Sequence, residues 1–169
     1  MNAFYEKTLE EIIFEKIEMV ADKGLNIFYK NTVRQLKVDK YIFDMFTWEI
    51  KDDILFCRII ELKKEGLNRE HLNQVLSYTY GFYGICLGFF KKVELEAILI
   101  GTKIIDPCIT HTQSISNILR IFEYYYGFDG IFFKEKLPNL NTIKELLLDS
   151  DMTDRVAEYT SFFDKLNNQ

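Results

Sequence analysis

Residues 54–63 read ILFCRIIELK, and this strand-like run decides how the rest of the chain is interpreted. Because successive side chains of a strand alternate between its two faces, Glu61 and Lys63 are expected to share a face. Unpaired buried charge is costly, so a central strand that ends in charged residues needs a reason. The run therefore predicts a carboxylate and an ammonium group placed side by side at a strand end.

A second acidic residue closes another apolar run, since residues 41–44 read YIFD and end at Asp44. The interval between Asp44 and Glu61 leaves room for a turn and a full return strand. Two hard oxygen ligands and a lysine that converge on a sheet edge are typical of Mg²⁺-dependent phosphodiester cleavage. A rival Glu-x-Lys pair, Glu49 and Lys51, lies too close to Asp44 for this arrangement, and we interpret it as a solvated hairpin end.

The helix predicted after this strand carries two further polar residues, Gln74 and Tyr78. They are four residues apart and therefore share one face of the helix. Taken alone, they could equally belong to an ordinary polar stripe. Taken together with Asp44, Glu61 and Lys63, they favour a functional site.

Length, charge and cysteine content restrict the class of protein. The chain has 169 residues, which predicts one domain that buries roughly 70% of its unfolded surface. Its net charge of −5 argues against a broad basic nucleic-acid surface, although a metal ion and a few local cations can still hold one phosphate. Three unclustered cysteines predict reduced thiols in a cytoplasmic protein. No apolar run approaches the roughly 18 residues of a membrane span, so no membrane association is expected.

The pattern of apolar residues predicts an α/β fold with a mixed central sheet flanked by helices. A short connection joins each of the first three strands to the next, which predicts an antiparallel meander, whereas the fourth strand should run parallel to the third after a helical crossover. We expect a core over residues 1–136 and a helical C-terminal extension over 137–169, which either covers the core or forms a homodimer surface. The predicted elements are a helix at 3–22, strands at 26–36, 40–48 and 53–62, a helix at 69–90, a strand at 94–102, a helix at 114–126, a strand at 130–133, and helices at 138–149 and 151–167.

These motifs together resemble the PD-(D/E)xK nuclease superfamily, and within it the RecB-like and NucS-like branch. The resemblance extends over roughly 60% of the chain, and the Gln-x-x-x-Tyr motif of Gln74 and Tyr78 is its most specific part. The matching segments are Glu6-Lys-Thr-Leu-Glu10, Arg34-Gln35, Ile42-Phe-Asp44 and Ile60-Glu-Leu-Lys63, with looser similarity over 96–102. The resemblance implies a restriction-endonuclease-like core and cleavage of DNA that depends on Mg²⁺ or Mn²⁺.

The resemblance also implies a role for each matching residue. Asp44 and Glu61 would be metal ligands, with the Leu62 carbonyl completing the set, and Lys63 would orient or activate the attacking water. Glu10 would approach the metal through a water, and its neighbour Glu11 is a rival for this role. Arg34, Gln74 and Tyr78 would steady phosphate oxygens or the catalytic side chains.

Two functions remain open from the sequence. The first is a metal-dependent deoxyribonuclease whose DNA substrate is single-stranded, duplex or branched. The second is a catalytically silent nuclease fold that acts as a binding or assembly module, which the acidic balance favours. A further cluster, Tyr124 to Tyr126, has the chemistry to stack on bases. Packing of these rings against the C-terminal helices is the favoured interpretation.

Overall fold

The structure, a computed structural model, describes residues 2–137. These residues form a six-stranded sheet in the order β1-β2-β3-β4-β5-β6, in which β3, β4 and β5 are parallel and the remaining neighbours are antiparallel. The predicted α/β class and mixed sheet are therefore confirmed. The elements are α1 (Asn2–Glu15), α2 (Ile17–Asp22), β1 (Asn31–Val38), β2 (Tyr41–Lys51), β3 (Ile54–Leu62), α3 (Arg69–Cys86), β4 (Lys92–Gly101), α4 (Cys108–Ile115), β5 (Leu119–Gly127) and β6 (Gly130–Lys136).

Local sequence explains where these elements begin and turn. The β2–β3 hairpin turns at Asp52 and Asp53, whose backbones are both left-handed with φ of 53° and 63°, a conformation that Asp tolerates better than most residues. Helix α3 begins after Asn68, whose side chain accepts hydrogen bonds from the backbone of Glu70 and His71. This cap fixes the start of α3 only a few residues after β3 ends.

The sheet has a hydrophobic core on each face. Helix α3 covers one face, where Val75 and Phe82 belong to the same buried cluster as Ile59 of β3. Helices α1 and α2 cover the other face, where Ile13 packs in one cluster with Ile60. Strand β3 thus alternates between the two cores, and this alternation places Glu61 on the α3 side, two residues after Ile59.

Several predicted elements differ from the structure. The helix predicted at 114–126 is wrong, because α4 ends at Ile115 and residues 119–127 form β5, paired with β4 on one side and β6 on the other. The buried aromatic and β-branched residues of this segment, among them Ile121 and Phe122, suit a strand between two neighbours. The strand predicted from residue 26 begins only at Asn31, the helix at 3–22 is divided between α1 and α2, and α3 ends earlier than residue 90.

The predicted helices at 138–149 and 151–167, and with them nearly all of the C-terminal extension, lie outside the described residues. No helix within residues 2–137 has both the length and the apolar character required to cross a membrane.

Candidate functional site

The predicted site residues meet where β2 and β3 separate. The two strands are paired from Lys51↔Ile54 to Met45↔Ile60, and pairing stops before Asp44 and Glu61. Strand β3 continues alongside β4, and the Lys63 N–H donates to the Ile100 carbonyl at 2.8 Å. Asp44 Oδ2 accepts the Leu62 N–H at 2.8 Å. One carboxylate oxygen therefore satisfies a backbone donor that strand pairing leaves free.

Glu61 is the most buried charged residue of this region, with only 1% of its surface exposed. Its Oε2 accepts hydrogen bonds from Lys63 Nζ at 3.3 Å and from Gln74 Nε2 at 3.1 Å. Its Oε1 is equally buried and has no hydrogen-bond partner among the described residues. An unpartnered buried oxygen is costly, and a bound cation is one way to satisfy it.

Electrostatics favour a proton or a cation at Glu61. Burial raises the pKa of Glu61 to about 8, and the charge of Asp44 and a hydrogen bond with its side chain add to the rise. The nearby Lys63 opposes these effects and lowers the pKa. Without a cation, therefore, Glu61 holds a proton at neutral pH. The carboxyl group of Asp44 thus lies close enough to Glu61 to raise its pKa.

Gln74 joins helix α3 to the carboxylate of Glu61. Its amide nitrogen lies 3.0 Å from the hydroxyl oxygen of Tyr78, in addition to its contact with Glu61. The Tyr78 ring packs against Tyr41 and Phe43, with ring centroids 5.4 Å and 5.7 Å away. The structure therefore brings the Gln-x-x-x-Tyr pair into the site rather than leaving it on an outer polar stripe.

Helix α1 brings a third carboxylate, Glu10, to the opposite face of the sheet. Glu10 is only 8% exposed, whereas its rival Glu11 is half-buried. Gln35 Nε2 donates to Glu10 Oε2 at 2.6 Å, and Arg34 Nε lies 3.7 Å from Oε1. Burial raises the pKa of Glu10, and the charge of Asp44 raises it further while the Gln35 hydrogen bond lowers it. Glu10 is thus electrostatically coupled to the site.

Arg34 lies on the same side as Glu10 and is partly open to solvent. Its guanidinium carbon is 4.9 Å from the centroid of the Phe14 ring, which supports the side chain from below. The side chain is 33% exposed, so it can reach an anion without breaking the fold. The site therefore offers a partly exposed guanidinium on one side and the Lys63 ammonium on the other.

Gln35 is a site residue to which the sequence assigned no role. Its backbone is left-handed, with φ of 49°, although it lies within β1. The β1–β2 ladder omits the rung between Gln35 and Asp44 and resumes in the same register. The spacing of apolar residues is the signal in the sequence for this irregularity. In a regular strand, residues that face the same core are two positions apart. Here the residues that pack toward α3 are three positions apart on both strands: Val33 and Leu36, and Phe43 and Phe46.

Two further predictions concern the rival Glu-x-Lys pair and the metal ligands. Lys51 is exposed and Glu49 half-buried at the far end of the β2–β3 hairpin, which confirms that this Glu-x-Lys pair is separate from the site. Within residues 2–137 no group of three or more His, Cys, Asp or Glu side chains is arranged to hold a metal ion. A cation here would depend on Asp44 and Glu61 together with backbone or solvent oxygens, a donor set that suits Mg²⁺.

Comparisons with known proteins find a distant structural similarity and no match by sequence. No protein-family model matches the sequence, and no curated protein matches it. The fold is similar to the crystal structure of the small subunit (R.BspD6I2) of the heterodimeric restriction endonuclease R.BspD6I. The two chains are 16% identical, the similarity covers 94% of this chain and 98% of that chain, and the TM-score is 0.36.

Proposed function

We propose that this protein is a metal-dependent DNA nuclease of the PD-(D/E)xK type, with a restriction-endonuclease-like core of the RecB-like and NucS-like branch. One observation carries the proposal. Glu61 is buried at a strand end, with an ammonium and an amide on one oxygen and no donor from the described residues on the other, and the charge of Asp44 raises its pKa. A purely structural ion pair has no need for the second carboxylate, because like charges in contact are unfavourable.

Mg²⁺ or Mn²⁺ fits this donor set. Asp44 and Glu61 would hold the ion, with the Leu62 carbonyl as the third protein ligand, and the unpartnered Glu61 Oε1 would gain a partner. When bound, such an ion polarises a phosphodiester and lowers the pKa of a coordinated water. Loading of the site requires Glu61 to release its proton, so binding should be coupled to pH.

Lys63 supplies the positive charge that belongs to the protein itself. Its Nζ is held 3.3 Å from Glu61, and its side chain is only 13% exposed. From this position the ammonium orients a water next to the scissile phosphate and offsets the charge that develops there. Gln74 acts on Glu61 directly, because its hydrogen bond fixes the orientation of the carboxylate, and Tyr78 acts through Gln74, from which its hydroxyl accepts a hydrogen bond.

Arg34 and Glu10 complete the site from the α1 side. The partly exposed guanidinium of Arg34 would bind a non-bridging phosphate oxygen. Glu10 holds Arg34 by charge and would contact the metal through a water. Burial raises the pKa of Glu10, and the Gln35 hydrogen bond opposes this rise.

Cleavage of DNA in the presence and absence of a divalent metal tests the proposal. We expect wild-type protein to cleave single-stranded, duplex or branched DNA with Mg²⁺ or Mn²⁺ and to lose this activity in chelator. Lys63→Met should lower the rate by about 10²–10³, because one electrostatic contact at the phosphate is removed. Lys51→Met is the matched control, since it removes the lysine of the other Glu-x-Lys pair, far from the site.

A thermal-shift titration with Mn²⁺ separates the two functions that the sequence left open. A metal-binding site raises the melting temperature of the wild type as the Mn²⁺ concentration rises. If Mn²⁺ gives no shift and wild type and Lys63→Met are equally inactive on all three DNA forms, the nuclease proposal is wrong. A catalytically silent binding or assembly module would then take its place.

A further inference from the structure

The β5–β6 hairpin extends beyond the end of the sheet at which the site lies, where the parallel strands β3, β4 and β5 have their carboxyl ends. The β4–β5 ladder ends at Gly101↔Glu123, whereas the β5–β6 ladder continues to Gly127↔Gly130. Residues 124–127 therefore project past the end of β4 by about 14 Å, at roughly 3.4 Å per residue. Because β3, β4 and β5 are parallel, this projection leaves the sheet from the same edge as Glu61.

The projecting part exposes aromatic rings on both of its faces and at its tip. We call the rings of Tyr125, Tyr126, Phe128 and Phe132 the aromatic ribbon. Tyr125 and Phe132 are stacked on one face with centroids 5.6 Å apart and planes 15° apart, while Phe128 at the turn is fully exposed. Tyr125 is 55% and Tyr126 66% exposed. Exposure of several large rings on one hairpin is unusual for a protein surface and indicates a binding surface.

The base of the ribbon is tied to the candidate site. The hydroxyl of Tyr124 donates to the carbonyl of Lys64 at 3.2 Å, and Lys64 follows Lys63 directly. Tyr124 is itself buried and packs against Phe133. Its hydrogen bond therefore fixes the ribbon with respect to the chain segment that carries the catalytic lysine.

Lysines accompany the rings. Lys23 Nζ lies 4.3 Å from the centroid of the Phe132 ring. Lys64, at the ribbon base, Lys103, in the loop after β4, and Lys134, on β6, form no ion pair with any of residues 2–137. The edge of the sheet between site and ribbon thus combines cationic and aromatic groups, the combination that proteins use to bind single-stranded nucleic acid.

The charge of the chain favours single-stranded over duplex DNA as the ligand of the aromatic ribbon. Tight binding of a duplex depends on many phosphate contacts, and a net charge of −5 is unfavourable for such a broad contact. Stacking of one base on an aromatic ring contributes about 1–3 kcal/mol and requires that the base be unpaired. The aromatic ribbon can contribute such stacking without a broad basic surface.

We propose that the aromatic ribbon binds unpaired bases of a single-stranded DNA segment and leads that segment to the site formed by Asp44, Glu61 and Lys63. The inference rests on the proposed function, since it names the substrate class of the same site. Its own test is a binding measurement in chelator, where no cleavage takes place.

Fluorescence anisotropy of a labelled oligothymidylate measures this binding. Replacement of Phe128 or Tyr126 by Ala should weaken binding by at least about fivefold, which corresponds to the lower end of the stacking free energy. Phe89→Ala is the matched control, because Phe89 is 80% exposed and follows the far end of α3, at the opposite edge of the sheet. Binding of a duplex of the same length should be weaker in the wild type and should change little in these variants.

A fluorescence reporter tests stacking directly. In a Trp48→Phe background, the indole introduced by Phe128→Trp should emit as a solvated group and be quenched when the oligothymidylate is added. The indole introduced by Phe89→Trp should not be quenched. A blue-shifted Phe128→Trp indole that DNA leaves unchanged would mean that the chain itself or a second copy covers the ribbon, and the inference would be wrong.

The two proposals can fail independently. If the wild type binds oligothymidylate through the ribbon in chelator but never cleaves DNA with metal, the nuclease proposal alone is wrong. If it cleaves DNA and the Phe128→Ala and Tyr126→Ala variants bind and cleave as the wild type does, the ribbon inference alone is wrong.

Discussion

Gln35 and Asp44 lie opposite each other on β1 and β2, at a rung that the ladder between these strands omits. Gln35 takes a left-handed backbone there, and its side chain turns to donate to Glu10. Asp44 turns its carboxylate to the Leu62 N–H instead. The Gln35–Asp44 pair is thus missing from the ladder between β1 and β2. The side chains of these two residues instead contact different parts of the site.

The left-handed backbone at Gln35 predicts an unusual response to glycine. A non-glycine residue in this conformation costs roughly 1–2 kcal/mol, and glycine does not carry this cost. Gln35→Ala and Gln35→Gly both lose the hydrogen bond to Glu10. We therefore expect the Gly variant to be more stable than the Ala variant by about 1 kcal/mol, measured by urea denaturation.

Lys37 provides the control for this comparison, because it is exposed on the same strand and its φ is not positive. There the order should be reversed, with Lys37→Gly less stable than Lys37→Ala, since glycine weakens an ordinary strand. Equal behaviour of the two positions would show that Gln35 is not strained.

Asp44→Asn separates the structural role of Asp44 from its charge. The amide oxygen of Asn can still accept the Leu62 N–H, so the variant should fold with nearly unchanged stability. Loss of the negative charge should weaken metal affinity, so excess Mn²⁺ should partly restore cleavage. Asp44→Ala also removes the acceptor and should lose a further 1–3 kcal/mol or so of stability. Mn²⁺ titrations of cleavage and urea denaturation check the two effects.

The raised pKa of Glu61 predicts a stability that falls as pH rises. The pKa of Glu61 is about 8 in the folded protein and lies near 4.5 without the fold. Its contribution is therefore fully present below pH 4.5 and is lost as pH rises through about 8. In chelator, the stability of the wild type relative to Glu61→Gln should fall by up to roughly 1.4 kcal/mol per pH unit across this range. Urea denaturation at several pH values measures this difference.

Metal should reverse this dependence, because the ion replaces the proton at Glu61. The stabilisation that a fixed Mn²⁺ concentration gives should grow between pH 6 and pH 8 in the wild type and be absent in Glu61→Gln. A stabilisation that does not vary with pH would place the metal elsewhere.

Gln74→Leu tests whether Gln74 positions Glu61. Leucine has a similar size but no donor, so Glu61 Oε2 would keep only Lys63. The pKa of Glu61 should then rise further, and the pH at which Mn²⁺ stabilises the protein should move upward. Asn73→Leu, at the exposed neighbouring position of α3, is the control and should leave this pH unchanged.

Sequence reasoning succeeded where local patterns and chain topology agree. The end of β3 is determined by the alternation of Ile59 to Lys63, and the α3 face by the four-residue spacing of Gln74 and Tyr78. Once the third and fourth strands are parallel, the crossover helix must return over the sheet. These rules suffice to bring Gln74 next to Glu61, as the structure has it.

Two features were not predicted from the sequence in this way. Residues 119–127 have apolar and aromatic residues at spacings that fit either a helix or a strand, and only the pairing with β4 and β6 decides for the strand. The omitted rung at Gln35 depends on a non-glycine residue in a left-handed conformation, which intrinsic preference disfavours. The hydrogen bond to Glu10, from a distant helix, helps to hold it there.

The strand order has a consequence for how the protein folds. Every strand pairs with its neighbours along the chain, and the hairpins β1–β2, β2–β3 and β5–β6 close short loops. The β3–β4 pair closes a longer loop that contains α3, and closing it is slower because more chain entropy is lost. The Lys63 N–H can reach the Ile100 carbonyl only after this step, so we expect the strand end that carries Glu61 and Lys63 to be fixed late in folding. Mn²⁺ should then slow unfolding in stopped-flow measurements and leave the refolding rate unchanged.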